Sequence, residues 1–348
     1  MVKKLIATIL ALALIFQLPA CNTSKKTRYE AQFLKLFDTM TEIVAYTDTK
    51  EEFTNLSNLI YNNLKVYHEL YDIYNDYPGI NNIKTINDNA GKKPVKVDKK
   101  IIDMLLLGKK ESSRETSSFN IALGSVLKIW HQYREAGIDN PESAALPPMA
   151  DLKAAMQHTD INKVIIDEKA STVYLEDPKM SLDVGGIAKG YATEQVAKIA
   201  MEHGYKSALL SVGGNVRAIG DKGVNNEQWN VGIQNPDKES KKESLCTINI
   251  TDESVVTSGI YERYYTVSGK TYHHIIDPKT LMPSTYFKAV TIITRDSGMA
   301  DIYCKLIFNV PYEQGLAYIR TLPDTEALWV LPDNTIKYSD HFQKYIKK

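Results

Sequence analysis

SLDVGGIAKGYATEQVAKIA, residues 181–200, sets a carboxylate, two glycines and a lysine directly ahead of a helical run. A strand ending at Asp183 needs a tight turn. Gly185 and Gly186 supply one and let a ligand approach the backbone closely. The helix that follows begins with unpaired backbone N–H groups, and Lys189 lies in its first turn. Such a start attracts anions. Ile187, Tyr191, Val196 and Ile199 recur at helical spacing and give the helix an apolar side. A strand, Gly-Gly turn and helix serve packing as readily as they serve phosphate, so this stretch alone leaves both readings open.

The surrounding chain is a mixture of helices and sequential strands. Residues 31–47 read as a strand with a break at Asp38-Thr39. Residues 52–71 carry Phe53, Leu56, Ile60, Leu64, Tyr67 and Tyr71 at helical spacing. Residues 72–96, rich in Asn, Asp, Gly and Pro, read as loop. A second helix is expected over 99–116. SSFNIALGSVLKIWHQYR (117–134) starts extended and turns helical near Gly124. Residues 135–160 form a connection with a short helix at 151–158, either the one plausible boundary or simply an insertion. VIIDEKASTVYLED reads as a hairpin feeding Asp183. Short strands follow at SALLSVGGNVRAIG, WNVGIQNP, LCTINITDESVVTSG, RYYTVSG and YHHIID, and the tail alternates two helices with a strand at ALWVLP. This order favours an α+β fold over a doubly wound sheet.

The bulk numbers exclude some classes. The chain has 348 residues, with 42 basic and 42 acidic side chains and no net charge. No basic excess points to nucleic acid. At the N-terminus, MVKK precedes the apolar LIATILALALIFQLPA, too short for a membrane span but suited to a secretory signal. LPAC at 18–21 resembles a lipoprotein box, so residues 1–20 read as a lipoprotein signal peptide, Cys21 as the lipidated residue and 21–30 as a polar tether. A plain signal peptide with an incidental Cys21 is the other reading. The lipoprotein reading makes the mature protein extracytoplasmic and anchored to the cell membrane. Cys246 and Cys304 remain. Nothing in the sequence pairs them, and no zinc-type spacing exists.

Other stretches offer chemistry and a plainer reading side by side. Gly213-Gly214 in SVGGN is a tight turn or bulge between strands, or an anion site. His273 and His274 are neighbours on an extended segment, so one of them can face a given site. His274 is the candidate acid or base. Thr257, Ser258 and Gly259 read as a polar turn able to donate to phosphate. Asp301 near a helix start is a cap or a ligand. No G-x-S-x-G elbow is present for a serine hydrolase.

FDT (37–39), FNIALGSVLKIW (119–130), DVGGIAKGYA (183–192), SVGGN (211–215), WNVGI (229–233), TSG with YHHIIDPKT (257–280) and AD (300–301) occur in one order. Together they resemble the ApbE family of flavin transferases across roughly residues 30–335. The resemblance implies an ApbE-like, T-fold-related α+β architecture of helices and largely antiparallel sheets, with 31–348 as the transferase domain. It implies transfer of FMN from FAD to a Ser or Thr hydroxyl of an exported acceptor protein, with release of AMP and Mg²⁺ beside the pyrophosphate. Carried over by position, Phe37, Tyr74, Phe119, Asn120, Ile121, Asp183, Lys189 and Ile276 contact FAD. Gly186 and Asp301 hold the metal. His274, with Asp183, is catalytic, taking the proton of the acceptor hydroxyl.

This sequence departs from the family pattern at telling places. Lys305 stands where a metal-binding Thr is usual, and an ammonium has no lone pair for a metal. Lys305 therefore fills the cation's position and leaves a flavin-binding protein with weak or altered catalysis, or it swings aside and leaves the Mg²⁺ site a ligand poorer. Cys304, Leu281 (a glycine in the family pattern) and Asn120 (an aspartate) are smaller departures. No acceptor motif of the form D-x-x-[ST]-G-A-T occurs in the chain, so the acceptor is another protein. Two alternatives use the same site: hydrolysis of FAD to FMN and AMP, and an FAD-binding lipoprotein without chemistry.

Overall fold

The computed structural model describes residues 26–115 and 117–348. The expected signal peptide (1–20) and the expected lipidation at Cys21 lie outside the described residues. In chain order, the hairpin β1 (Thr27–Leu36) and β2 (Thr39–Thr47) leads to α1 (Lys50–Tyr71), α2 (Ile83–Asp88), β3 (Val95–Lys96), α3 (Lys99–Ser112), α4 (Gly124–Asp139), α5 (Met149–Met156), β4 (Val164–Asp167) and β5 (Thr172–Leu175). Then follow α6 (Ala188–Glu202), β6 (Ala208–Val212), β7 (Asn215–Ile219), β8 (Trp229–Gln234), β9 (Ser244–Ile250), β10 (Ser254–Gly259), β11 (Tyr264–Val267) and β12 (Lys270–His273). The chain closes with β13 (Ala289–Thr294), α7 (Ser297–Phe308), α8 (Tyr312–Ile319), β14 (Glu326–Val330) and β15 (Ile336–Tyr338).

Eight strands form one sheet in the order β1-β2-β6-β7-β10-β13-β14-β15, antiparallel at every pairing. Its central strands are apolar on both faces. In β13, Val290 and Ile292 face the helical side, where they join the core of α1, α6 and α7. Ala289 and Ile293 face the other way, against the ribbon β8-β9. The ribbon itself alternates: Trp229, Val231 and Ile233 are buried and the residues between them are exposed. A two-residue period with two apolar faces marks a sheet sandwiched between layers, and one apolar face marks a covering layer. α1 follows the same logic with a helical period. Phe53, Leu56, Ile60 and Leu64 are buried, and Thr49 caps the helix by accepting from the Glu52 N–H.

Several expectations need correction. Thr27–Glu30, expected to be part of a polar tether over 21–30, are strand residues of β1 and pair with Val44–Thr47. The break in the first strand is a hairpin turn at Phe37 and Asp38, both with positive φ (55° and 52°). The loop 72–96 holds α2, whose capping box of Asn82 and Thr85 is legible as N-x-x-T. The TSG stretch is the end of β10, paired with β13 from Thr257 to Gly259, and not a turn. The 135–160 connection is no boundary: Tyr265 donates its hydroxyl to the Ala145 carbonyl, and Leu152 shares a core with Trp130 and Tyr265. Cys246 and Cys304 are both free thiols.

Candidate functional site

The DVGG segment is placed by two clamps. The Asp183 N–H donates to the Ile121 carbonyl (2.9 Å), and Leu123 bridges to Ser181. From the other side, Asn87 of α2 donates to the Leu182 carbonyl (3.0 Å) and accepts from the Leu182 N–H (2.7 Å). The turn that follows borders a cavity of about 320 Å³. That size suits a small organic ligand.

Aromatic side chains contribute to the cavity lining, among them Phe37, Tyr74, Phe119 and Trp130. Phe37 sits in the left-handed region, which a bulky residue occupies only when its surroundings hold it there. The holding group is His68. Its Nδ1 accepts the Phe37 N–H (3.2 Å), so its Nε2 carries the proton and faces the Tyr77 hydroxyl, which donates to Asp72 (2.8 Å). The Tyr74 ring meets His131 in a tilted contact, 5.0 Å between centroids, and the His131 Nδ1 lies 2.6 Å from the Arg134 guanidinium.

The lining also carries charged side chains. Asp301 lies in α7, but it does not cap that helix. Asp296 does, accepting from the Met299 N–H at 3.0 Å. Asp301 instead crosses to α6: its Oδ2 accepts from the Gly190 N–H and from Asn215, both at 3.1 Å. The crossing is so close that a Cβ on Gly190 would fall 2.3 Å from the Ser297 carbonyl oxygen. Lys305, one turn after Asp301, donates to Asp301 Oδ1 (3.1 Å) and to the Ser258 hydroxyl (2.7 Å). Burial would raise the Asp301 pKa, but Lys305, Lys189 and the Gly190 N–H outweigh it and hold it below the ordinary carboxylate value. Burial pushes Lys189 down, and Lys305 and Arg263 add to this against Asp301. Burial pushes Asp183 up although the Gly185 N–H donates to it at 2.8 Å.

The two histidines divide their roles. The His273 Nε2 meets the Ser284 carbonyl (2.8 Å) and its Nδ1 accepts the Ile275 N–H (3.2 Å), so both nitrogens are spent on structure. The His274 Nδ1 lies 3.1 Å from the Arg263 carbonyl, which only accepts, so Nδ1 carries the proton. That leaves the Nε2 lone pair on a cavity-lining ring. Burial, then Lys305 and Arg263, push the His274 pKa down to about 3, and the ring is neutral at ordinary pH.

Of the sequence-derived site residues, Phe37, Tyr74, Phe119, Asn120, Asp183, Gly186, Lys189, His274, Ile276, Asp301 and Lys305 share this one cavity. Ile121 does not. It is 1% exposed, packs against Gly108 and acts through its carbonyl. Asn120 is on the lining, but its amide is spent on the Thr159 carbonyl and the Ala122 N–H. Asn215, His131, Arg134 and Arg263 escaped sequence reading. Only Asn215 carried a signal, as the residue after the SVGG turn. That turn is the two-residue β6–β7 hairpin, with φ of 54° and 85° at Gly213 and Gly214.

Gly186, Asp301 and Lys305 do not fit a divalent ion. Asp301 Oδ2 already holds two N–H donors and Oδ1 faces an ammonium, whereas Mg²⁺ needs oxygen ligands and repels a cation. Among the described residues, no group of three or more His, Cys, Asp or Glu side chains is placed to hold a metal.

An aromatic wall, a cationic corner and a neutral histidine with an open lone pair define a site suited to an aromatic ligand bearing phosphate. Comparison with known proteins narrows the class. The ApbE family model matches residues 37–329. A Klebsiella pneumoniae (strain 342) FAD:protein FMN transferase is 32% identical over 282 residues, covering 81% of this chain and 84% of the relative. A Treponema pallidum (strain Nichols) FAD:protein FMN transferase is 34% identical over 270 residues, covering 74% and 72%. The crystal structure of the ApbE protein from Thermotoga maritima superposes with a TM-score of 0.80 at 26% identity, covering 92% of this chain and all of that one. The chain belongs to the ApbE family, and it is a transferase.

Proposed function

We propose that the protein is an FAD:protein FMN transferase that moves FMN from FAD to a Ser or Thr hydroxyl of a separate acceptor protein and releases AMP. The observation that carries this reading is the pairing, in one cavity, of the His274 Nε2 lone pair with the Lys189, Arg263 and Lys305 cations. Phosphoryl transfer needs placement and charge neutralisation more than covalent help. The acceptor oxygen attacks the phosphorus of the FMN half, forming a P–O bond. The bond from that phosphorus to the bridging oxygen breaks, and AMP leaves with the electron pair. His274 takes the hydroxyl proton on Nε2. The aromatic lining residues, among them Phe37, Tyr74 and Trp130, receive a ring system of FAD.

We place the reaction outside the cytoplasm, with the enzyme anchored to the membrane by lipid at Cys21. The MVKK start, the short apolar run and the LPAC sequence support this. No helix of the described residues is long and apolar enough to cross a membrane. The test is incubation of the mature protein with FAD and an exported protein bearing an accessible Ser/Thr acceptor sequence, followed by mass spectrometry. An FMN adduct on the hydroxyl supports the transferase. AMP and FMN without adduct would replace it with FAD hydrolysis, and FAD binding without either product would leave a flavin carrier.

A further inference from the structure

The charged corner is closed by the protein's own groups. A carboxylate offers about four acceptor directions. Asp301 uses three of them, on the Gly190 N–H, the Asn215 amide and the Lys305 ammonium. Lys305 carries three N–H groups and uses two, on Asp301 and Ser258. Its side chain is 20% exposed, and it lines the cavity. A Cβ on Gly186 would lie 3.3 Å from the Lys305 Cγ, so the lysine stem runs beside the DVGG turn, and its head is held by Asp301 and Ser258. The arrangement is that of a cation bound in a site, with the cation supplied by the chain.

We infer that Lys305 is the resident cation of this transferase. Its ammonium, fixed by Asp301 and Ser258, takes the diphosphate of FAD where a divalent ion would otherwise be required, so that binding and FMN transfer need no added metal. This rests on the reading of the cavity as a site for FAD. One ammonium carries half the charge of a divalent ion, and Lys189 and Arg263 on the same lining supply the remainder. The ammonium keeps its protons throughout. It donates to the non-bridging oxygens, and the bond changes are those written above.

The test is FAD affinity, read by flavin fluorescence on the mature protein in EDTA and again in Mg²⁺. The two affinities are expected to agree within about twofold, and heat measurements of Mg²⁺ added to the FAD-free protein should show no saturable site. Lys305→Thr in EDTA should bind FAD about tenfold more weakly or worse, the loss of one charge-assisted bond. Tight binding that appears only with Mg²⁺ would overturn the inference and leave the transferase reading intact. So would a Lys305→Thr variant that binds in EDTA as the wild type does. Failure to bind FAD under both conditions would remove the reading on which it rests. The wild-type comparison decides the matter even if the variant does not fold.

Discussion

The starts of α6 and α7 lie against each other and are finished in opposite ways. α7 caps itself: Asp296 accepts the Met299 N–H within its own turn. α6 has no side-chain cap of its own, with Ile187 at the cap position, and its Gly190 N–H is taken by Asp301 of α7. Because Asp296 handles the local duty, Asp301 is free to reach across. The difference teaches where function sits. A helix start completed locally is structure, and one completed by a distant residue joins two segments 111 positions apart into one site.

The contrast can be broken from several points. The largest effect should come from His274, which faces the charge the two helices assemble. His274→Gln should lower the transfer rate by roughly 10²–10⁴-fold with FAD binding retained, the usual weight of a general base. Steady-state kinetics beside a binding titration checks this. The same residue sets a pH effect. Its folded pKa of about 3 lies below the unfolded value, so between about pH 6.5 and 3 the unfolded chain binds the extra proton. Its contribution to stability is therefore complete above pH 6.5 and is lost as pH falls, and denaturant melts across that window should show the wild type losing more than His274→Gln.

Asp301→Ala leaves the Lys305 ammonium without its buried partner and should cost about 3 kcal/mol in chemical denaturation, with transfer lost. Gly190→Ala forces the two helices apart at the 2.3 Å contact and should cost about 2 kcal/mol with a weakened site. Asp296→Ala should cost about 1 kcal/mol, as other cap losses do, with kcat little changed. If Asp296→Ala harmed transfer as much as Asp301→Ala does, the division between structural and functional helix starts would fail.

Local pattern made much of this molecule readable in advance. The helical spacing of Phe53, Leu56, Ile60 and Leu64 and the mixture of helices with sequential short strands point to the α+β class, and the resemblance carried by motifs such as DVGGIAKGYA and HHIIDPKT supplies most of the cavity lining. What stayed hidden depends on contacts between distant segments. Asn215 meets Asp301 across 86 positions. His131 and Arg134 sit on α4 and line the cavity, and no local motif marks them. The resemblance puts Ile121 on the ligand by its position in FNIA, but its side chain points into the core and only its carbonyl serves the site. Leu281, singled out as a glycine replaced, does hold a left-handed conformation at φ 61°, and its burial among Trp130 and Tyr265 keeps it there. Asp301 read as a cap because the true cap, Asp296, lay five residues earlier behind a Ser-Gly pair.

The measurement that bears most directly on the central claim is the stoichiometry of AMP to FMN adduct when the mature enzyme, FAD and an acceptor protein are incubated in EDTA. One AMP for each FMN ester on the acceptor hydroxyl is the expected result. AMP formed in excess with no adduct, or no product under any condition, would contradict it.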